Sequence, residues 1–370
     1  MRAVSFTPSL PIVLRGGTYV VEGDGPATEY AVKMRRLPQE RMLDRLVADG
    51  LATSDMMRAV AERVARFHSV AATSDEISKY GAIESIRHNT DENFQQTLSF
   101  IDRTVRRDNY QLLLEFTDGF LQQHEDLFRE RVENRRIRDC HGDLHAAHVC
   151  VTDDICIYDC IEFNDRLRTI DVANDVAFLA MDLDFEGRPD LAQRLVRAIV
   201  RATHDRGIEQ LLDFYKCYRA AVRHKVECLR AAEREVDGAE RHASALRAER
   251  FMHLALRYAT LGSRPTIVAV IGEVACGKST LATGLAADIG VLENFYFIPA
   301  AARADGDHQL LVDHQPGRHH DAVVHDLLDV GDFLYVAVEV ELGGGGLCHF
   351  GQLFAFRAAG AEDFDLLHIL

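Results

Sequence analysis

The spacing of hydrophobic and polar positions changes several times along the chain. Residues 11–35 consist of short β-rich runs separated by glycines, which predicts an antiparallel meander with tight turns. From Pro38 to about Arg135, apolar residues recur at intervals of three and four, which predicts helices. Ser54 is a predicted helix cap, and His68 is expected to lie on the packed face behind it. The apolar residues of that face are Met57, Val60, Ala61, Val64 and Phe67.

Residues 139–160 have the pattern of loop and strand. The runs Val149 to Val151 and Ile155 to Tyr158 flank a turn of Thr152, Asp153 and Asp154. Helical spacing returns from about 171 to 258, and the segments 209–235 and 239–260 are expected to form either an antiparallel helix pair or a dimer contact.

A change of pattern near residue 262 predicts a domain boundary. Gly262 to Pro265 interrupt the helical spacing, and Thr266 to Ile271 form an apolar, β-branched run typical of a buried parallel strand. We therefore predict one domain over 1–260 and a second over 261–370. A chain of 370 residues with 47% hydrophobic content is long enough for two domains.

The charge and composition of the chain indicate which kinds of binding partner to expect. The net charge of -16 argues against nucleic acids and anionic membranes, since phosphate-rich partners are bound by clustered Lys and Arg. A small-molecule ligand is the better expectation. No apolar run approaches the roughly 20 residues that span a bilayer, and the first residues lack a signal-peptide core, so a cytoplasmic location is predicted. The eight cysteines include no CxxC pair and are interpreted as reduced thiols.

A phosphate-binding motif follows the predicted strand. Gly272 to Thr280 read GEVACGKST, the G-x4-G-K-[ST] pattern of a P-loop. Gly272 and Gly277 allow the backbone N–H groups to surround a phosphate. Lys278 is expected between the β- and γ-phosphates, Ser279 on Mg²⁺, and Thr280 beside it. The motif predicts binding of ATP with Mg²⁺.

The residues after 290 support a P-loop domain poorly. Residues 291–370 hold 13 Asp or Glu, three Arg and no Lys, and only Phe333 to Val340 have the pattern of a strand. A P-loop domain also needs an acidic residue at a strand end, for which Glu339 and Asp326 are the candidates. Two interpretations of this segment stay open: a loosely ordered acidic tail, or a sequence read in an altered frame, which we favour.

A second group of chemically active residues lies in the first half. The segment HGDLHAAH over 141–148 is followed by Ile157-Tyr158-Asp159. In a kinase, an Asp accepts the proton of the attacking hydroxyl, a residue five positions later binds metal, and an Asp on the next hairpin binds metal as well. Asp143, His148 and Asp159 have those spacings. The alternatives are a polar structural turn and a zinc site of the His-x3-His-x2-His type with Cys140 or Cys150.

These residues resemble the aminoglycoside phosphotransferase family, whose catalytic loop reads HGD and whose metal-binding Asp lies in an I-D motif. Asp171 to Asp175, DVAND, resembles the start of that family's Asp-rich helix. With the P-loop, the chain resembles, over roughly 10–290, bacterial proteins that fuse such a domain to an AAA-type P-loop kinase or ATPase. The resemblance implies an α+β protein-kinase-like (aminoglycoside phosphotransferase-like) domain with a truncated N-lobe, then an incomplete α/β P-loop NTPase domain.

The resemblance also implies residue roles. Asp143 would be the catalytic base and Asp159 a Mg²⁺ ligand, with Glu162 and Asp171 supporting the loop through hydrogen bonds. Two positions depart from the family. His148 stands where these kinases usually have Asn, and imidazole suits Mg²⁺ less well. Lys33 follows Gly25 too closely for a complete glycine-rich hairpin and is expected on a later strand that leads to the interlobe hinge.

The function predicted from the sequence is phosphoryl transfer from ATP to a hydroxyl of an unidentified small molecule. The alternative is a nucleotide-gated binding or regulatory ATPase with a degenerate kinase-like domain. A folded remnant without turnover is a third possibility, because both predicted domains are incomplete.

Overall fold

The computed structural model describes residues 9–32, 36–263, 266–271 and 284, and the strand segments 334–342, 348–359 and 363–369. Contacts divide the chain into two compact units, Met1–Ala255 and Leu256–Leu370. Several residues singled out in the sequence lie outside the described residues: Lys33, Gly272, Gly277, Lys278, Ser279, Thr280 and Asp326.

The first unit is mainly helical, with three small sheets. Its strands are β1 (Leu10–Arg15), β2 (Thr18–Val21), β3 (Glu29–Ala31), β4 (Ile137–Asp139), β5 (Val149–Cys150), β6 (Cys156–Ile157) and β7 (Thr169–Asp171). Its helices are α1 (Leu43–Ala48), α2 (Ser54–Val70), α3 (Asp75–Ser78), α4 (Ile83–Thr97), α5 (Arg107–Gln123), α6 (Glu125–Glu133), α7 (Asp165–Arg168), α8 (Val172–Phe185), α9 (Pro189–Thr203), α10 (Gly207–Ala232) and α11 (Gly238–Thr260), the last of which ends in the second unit.

The N-terminal sheet is antiparallel, but it is not the predicted meander. The hairpin of β1 and β2 is confirmed, and Gly16 and Gly17 both have positive φ in its turn. The strand order is β2-β1-β3, so β3 pairs with β1 instead of β2. The loop after β2 returns the chain to the other edge of β1, where the Thr28 N–H donates to the Ile12 carbonyl.

Helix α2 confirms the predicted apolar face and corrects its cap. Its predicted face is buried except for Phe67, which is half-buried, and His68 is buried as expected. The cap is Thr53, whose hydroxyl accepts the Met56 N–H at 3.3 Å, while Ser54 is the first helical residue. Thr53 has the extended backbone that an N-cap residue needs, whereas Ser54 is already helical.

Helix α8 lies at the centre of the first unit. It packs against α9 and α10, and α2 packs against α9. Nearly every side chain of α8 is buried, including those of Asn174 and Asp175, and a helix that is buried all round belongs to a core. Burial of this kind requires a partner for each polar side chain.

The last two helices of the first unit pack against each other. The His224 ring lies 2.8 Å from the Ala248 carbonyl, and Arg247 contacts Glu227 at 3.0 Å. Later residues of α10 thus contact earlier residues of α11, so the two helices are antiparallel. Of the two arrangements expected for these segments, the intramolecular pair is the one observed.

The described residues show the state of the cysteines and the character of the helices. Cys140, Cys150, Cys156, Cys160, Cys217 and Cys228 are free thiols. Among the helices in the described part of the chain, none is both long and apolar enough to span a bilayer.

The second unit contains a four-stranded sheet of order β11-β10-β9-β8. Its strands are β8 (Thr266–Ile271), β9 (Leu334–Leu342), β10 (Cys348–Ala359) and β11 (Asp363–Ile369). Strand β8 confirms the strand predicted over Thr266 to Ile271 and pairs in parallel with β9. Strand β9 contains Leu334 to Val340 of the strand predicted over Phe333 to Val340, and Phe333 lies outside the described residues. The other two pairings are antiparallel.

A buried ion network links α6 to the N-terminus of α8. Arg131 donates to both oxygens of Asp171, at 2.8 and 2.6 Å, and also binds Asp205. All three side chains are at most 4% exposed. Asp171 in turn caps α8 by accepting the Ala173 N–H at 2.8 Å. Removal of the arginine would leave two buried carboxylates without their main partner.

We expect Arg131→Met to lower the free energy of unfolding by about 3–5 kcal/mol, the usual cost of breaking a buried ion pair. The matched control is Arg129→Met on the same helix, since Arg129 is 58% exposed and pairs with Glu125 and Asp126 at the surface. That change should cost less than about 1 kcal/mol. Urea unfolding of the full chain measures both, and equal losses would contradict the structural role given to Arg131.

Candidate active site

The candidate site is built on the β5–β6 hairpin. The strands pair with Val149 opposite Ile157 and Cys150 opposite Cys156, as the sequence predicts for this turn. The HGD loop leads into β5, and Asp159 follows β6. A short antiparallel hairpin brings its two ends together, so residues 16 positions apart in sequence, Asp143 and Asp159, reach the same end of the hairpin.

The HGD loop is held by one buried carboxylate from α8. Asp175 accepts the backbone N–H of His141 and that of Gly142, each at 2.9 Å, and also contacts His68 Nε2 of α2 at 3.1 Å. Burial raises the pKa of Asp175, but His68, through its hydrogen bond and charge, and His141 together leave the pKa below its ordinary value. Asp175 is therefore a carboxylate that ties the loop to two helices.

A second acid of α8 binds the same loop two turns later. Asp182 accepts the Ala146 N–H at 2.8 Å. Since 3.6 residues make one helical turn, Asp175 and Asp182 lie on the same face of α8. Helix α8 thus fixes the backbone of the loop on both sides of Asp143.

Gly142 is required by the path of this loop. It has a φ of +81°, and a Cβ there would lie 2.8 Å from the Leu167 carbonyl oxygen. A side chain would have both an unfavourable backbone conformation and a clash with backbone. The middle residue of the HGD motif therefore lets the loop approach the chain before β7.

His141 connects the HGD loop to the segment that carries Asp159. Its Nε2 lies 2.8 Å from the Tyr158 carbonyl, so Nε2 carries the proton, and its Nδ1 accepts the Asp143 N–H at 3.2 Å. The Ile161 N–H donates to the His141 carbonyl at 3.0 Å. Asp159 thus lies between two residues that are bonded to His141, and it has a φ of +63°, which Asp tolerates better than most residues.

Asp143 is the acidic side chain at the tip of the loop. It is 36% exposed, and one oxygen lies 3.6 Å from His145 Nε2 and 3.6 Å from His148 Nδ1. Burial raises its pKa, but His145, His148 and Arg219 together lower it to about 2. At neutral pH the group is a carboxylate, which can accept a hydrogen bond from a hydroxyl.

His148 lies between the two aspartates. Its Nδ1 is 2.9 Å from the Asp143 carbonyl oxygen, and because a carbonyl only accepts, Nδ1 carries the proton. The other nitrogen, Nε2, lies 3.4 Å from an oxygen of Asp159. Burial and the charge of His145 lower the pKa of His148, which favours the neutral ring. A neutral ring with a protonated Nδ1 has a lone pair on Nε2.

These donors fit a divalent cation. The Nε2 lone pair of His148 and the carboxylate of Asp159, which is 72% exposed, are both available to an ion reached from solvent. The zinc alternative fits less well as predicted, because both nitrogens of His141 are already bonded and Cys140 donates to the Ile170 carbonyl. Ligand atoms of Asp143, His145 and His148 do lie within 4.8 Å of one another.

Some of the site residues predicted from the sequence lie together in the structure, and others do not. Asp143, His148 and Asp159 lie together, as their spacing predicted. Glu162 is exposed, and the described hydrogen bonds of Asp171 go to Arg131 and to its own helix, not to the HGD loop. The expected loop support is supplied instead by Asp175 and Asp182, because those positions of α8 face the loop.

Three residues near the site were given no role in it from the sequence: Asp175, Asp182 and Arg219. The signal for the two acids was available, since a carboxylate in the otherwise apolar run VANDVAFLAMDL needs a partner when that helix is buried. Arg219 of α10 donates to Asn174 at 2.6 Å and lies 4.6 Å over the Phe178 ring. Nothing in the local sequence distinguishes it from the other arginines.

Comparison with known proteins gives matches of three kinds. Residues 15–215 match the sequence model of the APH family, described as "Phosphotransferase enzyme family". Uncharacterized proteins of Mycobacterium bovis (strain ATCC BAA-935 / AF2122/97) and Mycobacterium tuberculosis (strain ATCC 25618 / H37Rv) are 33% identical to this chain over 281 residues, which is 74% of this chain and 54% of each relative. The chain thus spans about half the length of these curated relatives.

Solved structures of glucosamine kinase also match, with a low degree of likeness. Crystal form A is 17% identical, covers 55% of this chain and 56% of its own, and has a TM-score of 0.33. A complex with glucosamine, ADP and inorganic phosphate is 16% identical, covers 64% and 61%, and also has a TM-score of 0.33.

The family match ends before the P-loop motif, so the predicted fusion with an AAA-type domain stays a prediction. For the first unit the resemblance read from HGD, I-x-D and DVAND is confirmed. The match covers more than half of the 370 residues and includes Asp143, His148 and Asp159. The chain belongs to the phosphotransferase enzyme family.

Proposed function

We propose that this chain transfers the γ-phosphoryl group of ATP to a hydroxyl group of a small molecule. The observation that carries the proposal is the position of Asp143 beside a His148–Asp159 pair. The loop that carries Asp143 is held by hydrogen bonds from its backbone to α8. One carboxylate can orient the attacking hydroxyl while a separate donor pair holds a cation for the phosphates. These are the parts that phosphoryl transfer requires, since most of its catalysis is positioning and charge stabilisation.

In this proposal Asp143 binds the acceptor. The hydroxyl donates its hydrogen bond to the Asp143 carboxylate, which orients the oxygen for attack and receives the proton as the bond to the γ-phosphorus forms. At the same time the bond from that phosphorus to the β–γ bridging oxygen breaks, and ADP leaves. Its partial exposure allows an acceptor to reach it. A pKa of about 2 makes this carboxylate a weak base, so orientation of the hydroxyl is its larger contribution.

The same proposal assigns the cation to His148 and Asp159. A divalent ion bound there would neutralise charge on the β- and γ-phosphates. The two side chains reach it from different segments, His148 from the loop and Asp159 from the end of the hairpin, and the bonds of His141 keep those segments together. The acceptor itself is not identified by these contacts, and the family name does not define it.

A second nucleotide site at the P-loop is part of the proposal. Its support from the described residues is the strand β8, which ends one residue before Gly272 and pairs in parallel with β9. In that register Ile271 is opposite Glu339, one of the two acids considered for the Mg²⁺ position. An acid on the strand next to a P-loop strand suits such a role. This pairing favours the alternative of a nucleotide-gated regulatory ATPase as the second candidate function.

We expect Asp143→Asn to lower phosphate transfer from labelled ATP by about 10²–10⁴-fold, because the neutral amide orients the hydroxyl less well than the carboxylate and cannot take its proton. The assay uses the full chain and a panel of polyhydroxylated acceptors. Asp154→Asn is the control, since Asp154 is exposed in the turn of the β5–β6 hairpin. Full activity in Asp143→Asn, or an equal loss in Asp154→Asn, would count against the assignment.

Calorimetry with ATP and Mg²⁺ tests which site binds nucleotide. We expect two binding events in the intact chain, one lost in Lys278→Ala and the other weakened at least tenfold in Asp159→Ala, because in the proposal Lys278 binds phosphate and Asp159 binds the cation. Complete loss in Lys278→Ala with no effect of Asp159→Ala would leave the regulatory alternative and remove the proposed kinase site.

A further inference from the structure

The orientation of His148 is fixed by backbone. Its Nδ1–H donates to the Asp143 carbonyl at 2.9 Å, and its ring lies 3.9 Å from that of His145 and 5.7 Å from that of Tyr158. Histidines that ligate metals nearly always donate their second ring N–H in this way, which fixes the tautomer and points the lone pair at the ion. Here the lone pair is on Nε2, the atom that faces Asp159.

The separation of the two donors suits one shared ion. Nε2 of His148 and the nearer oxygen of Asp159 are 3.4 Å apart, which is too long for a good hydrogen bond. Two ligands each about 2.1 Å from a metal, with an angle between about 90° and 110° at it, lie roughly 3.0–3.4 Å apart. The pair therefore has the spacing of two ligands of the same cation.

A different grouping of donors is less well prepared. Asp143, His145 and His148 also lie close together, but in that group the near nitrogen of His148 is Nδ1, which is already used by the Asp143 carbonyl. Binding there would require His148 to exchange its hydrogen bond for a metal bond. The pair with Asp159 needs no such exchange.

We propose that the cation site of this chain selects a first-row transition dication, such as Co²⁺, Mn²⁺ or Zn²⁺, over Mg²⁺, and that His148 is the residue that makes this selection. The inference deepens the proposed function and rests on it for the catalytic use of the ion. Mg²⁺ takes oxygen ligands in near-ideal octahedral geometry, whereas imidazole suits transition ions. An amide oxygen at position 148 would restore an all-oxygen set.

Co²⁺ and Mg²⁺ are the probes for this selection, each titrated alone into the full chain by calorimetry and followed for Co²⁺ by visible absorption. We expect Co²⁺ to bind more tightly than Mg²⁺, with the ratio of affinities at least tenfold smaller in His148→Asn because the nitrogen ligand is lost. The change in the Co²⁺ absorption bands should disappear in the same variant. Asp159→Asn should weaken both ions, since it removes the shared carboxylate.

Binding of Co²⁺ to other histidines is the background signal of this experiment, since the chain has 17 histidines. His242→Asn is the matched control, because His242 is exposed on α11, and the ratio should be unchanged in it. An equal ratio of affinities in the intact chain and in His148→Asn would overturn the inference. If the ratio of Co²⁺ to Mg²⁺ affinity is unchanged in His148→Asn but phosphate transfer is measurable, only this inference is removed. If Co²⁺ is selected but no phosphate is transferred with any cation, only the proposed function is removed.

Discussion

The hydrogen bonds of the Asp175 carboxylate are the constraint on which the candidate site depends. Asp175 is fully buried, and its oxygens accept from two successive backbone N–H groups of the HGD loop and contact His68. A buried carboxylate without partners would be very unfavourable, so folding of α8 into the core requires the loop to be in place. The Asp175 carboxylate therefore couples the stability of the core to the geometry of the HGD loop.

Two further acids at α8 are also held by partners from other segments. Asp171 caps the helix and pairs with Arg131, Asp175 holds His141 and Gly142, and Asp182 holds Ala146. Asp175 and Asp182 lie within a helix that is mostly apolar and buried, Asp171 is its N-cap, and each acid has a partner from outside the helix. Asp143, His148 and Asp159 carry the proposed chemistry, but it is α8 that keeps their backbone in position, and such support is what precise positioning needs.

The sequence predicted the parts of this arrangement that depend on local pattern. Short-range spacing predicted the β5–β6 hairpin, the apolar face of α2 and the meeting of Asp143, His148 and Asp159. It missed Thr53 as the cap by one residue, since Ser is the more favoured cap type of the two and only the backbone conformation selects Thr53. It predicted a meander where β3 pairs with β1, because the pattern within a strand does not determine its neighbour. The partners of Asp175 and Arg219 could not be predicted, because they come from segments distant in sequence.

The dependence of the loop on Asp175 is tested most directly by amide hydrogen exchange in the full chain and in Asp175→Asn. The asparagine keeps the size of the side chain but has only one oxygen to accept the two N–H groups. The predicted result is faster exchange at His141 and Gly142, with the amides of α9 still protected. Unchanged protection at His141 and Gly142 in a folded Asp175→Asn chain would contradict the account.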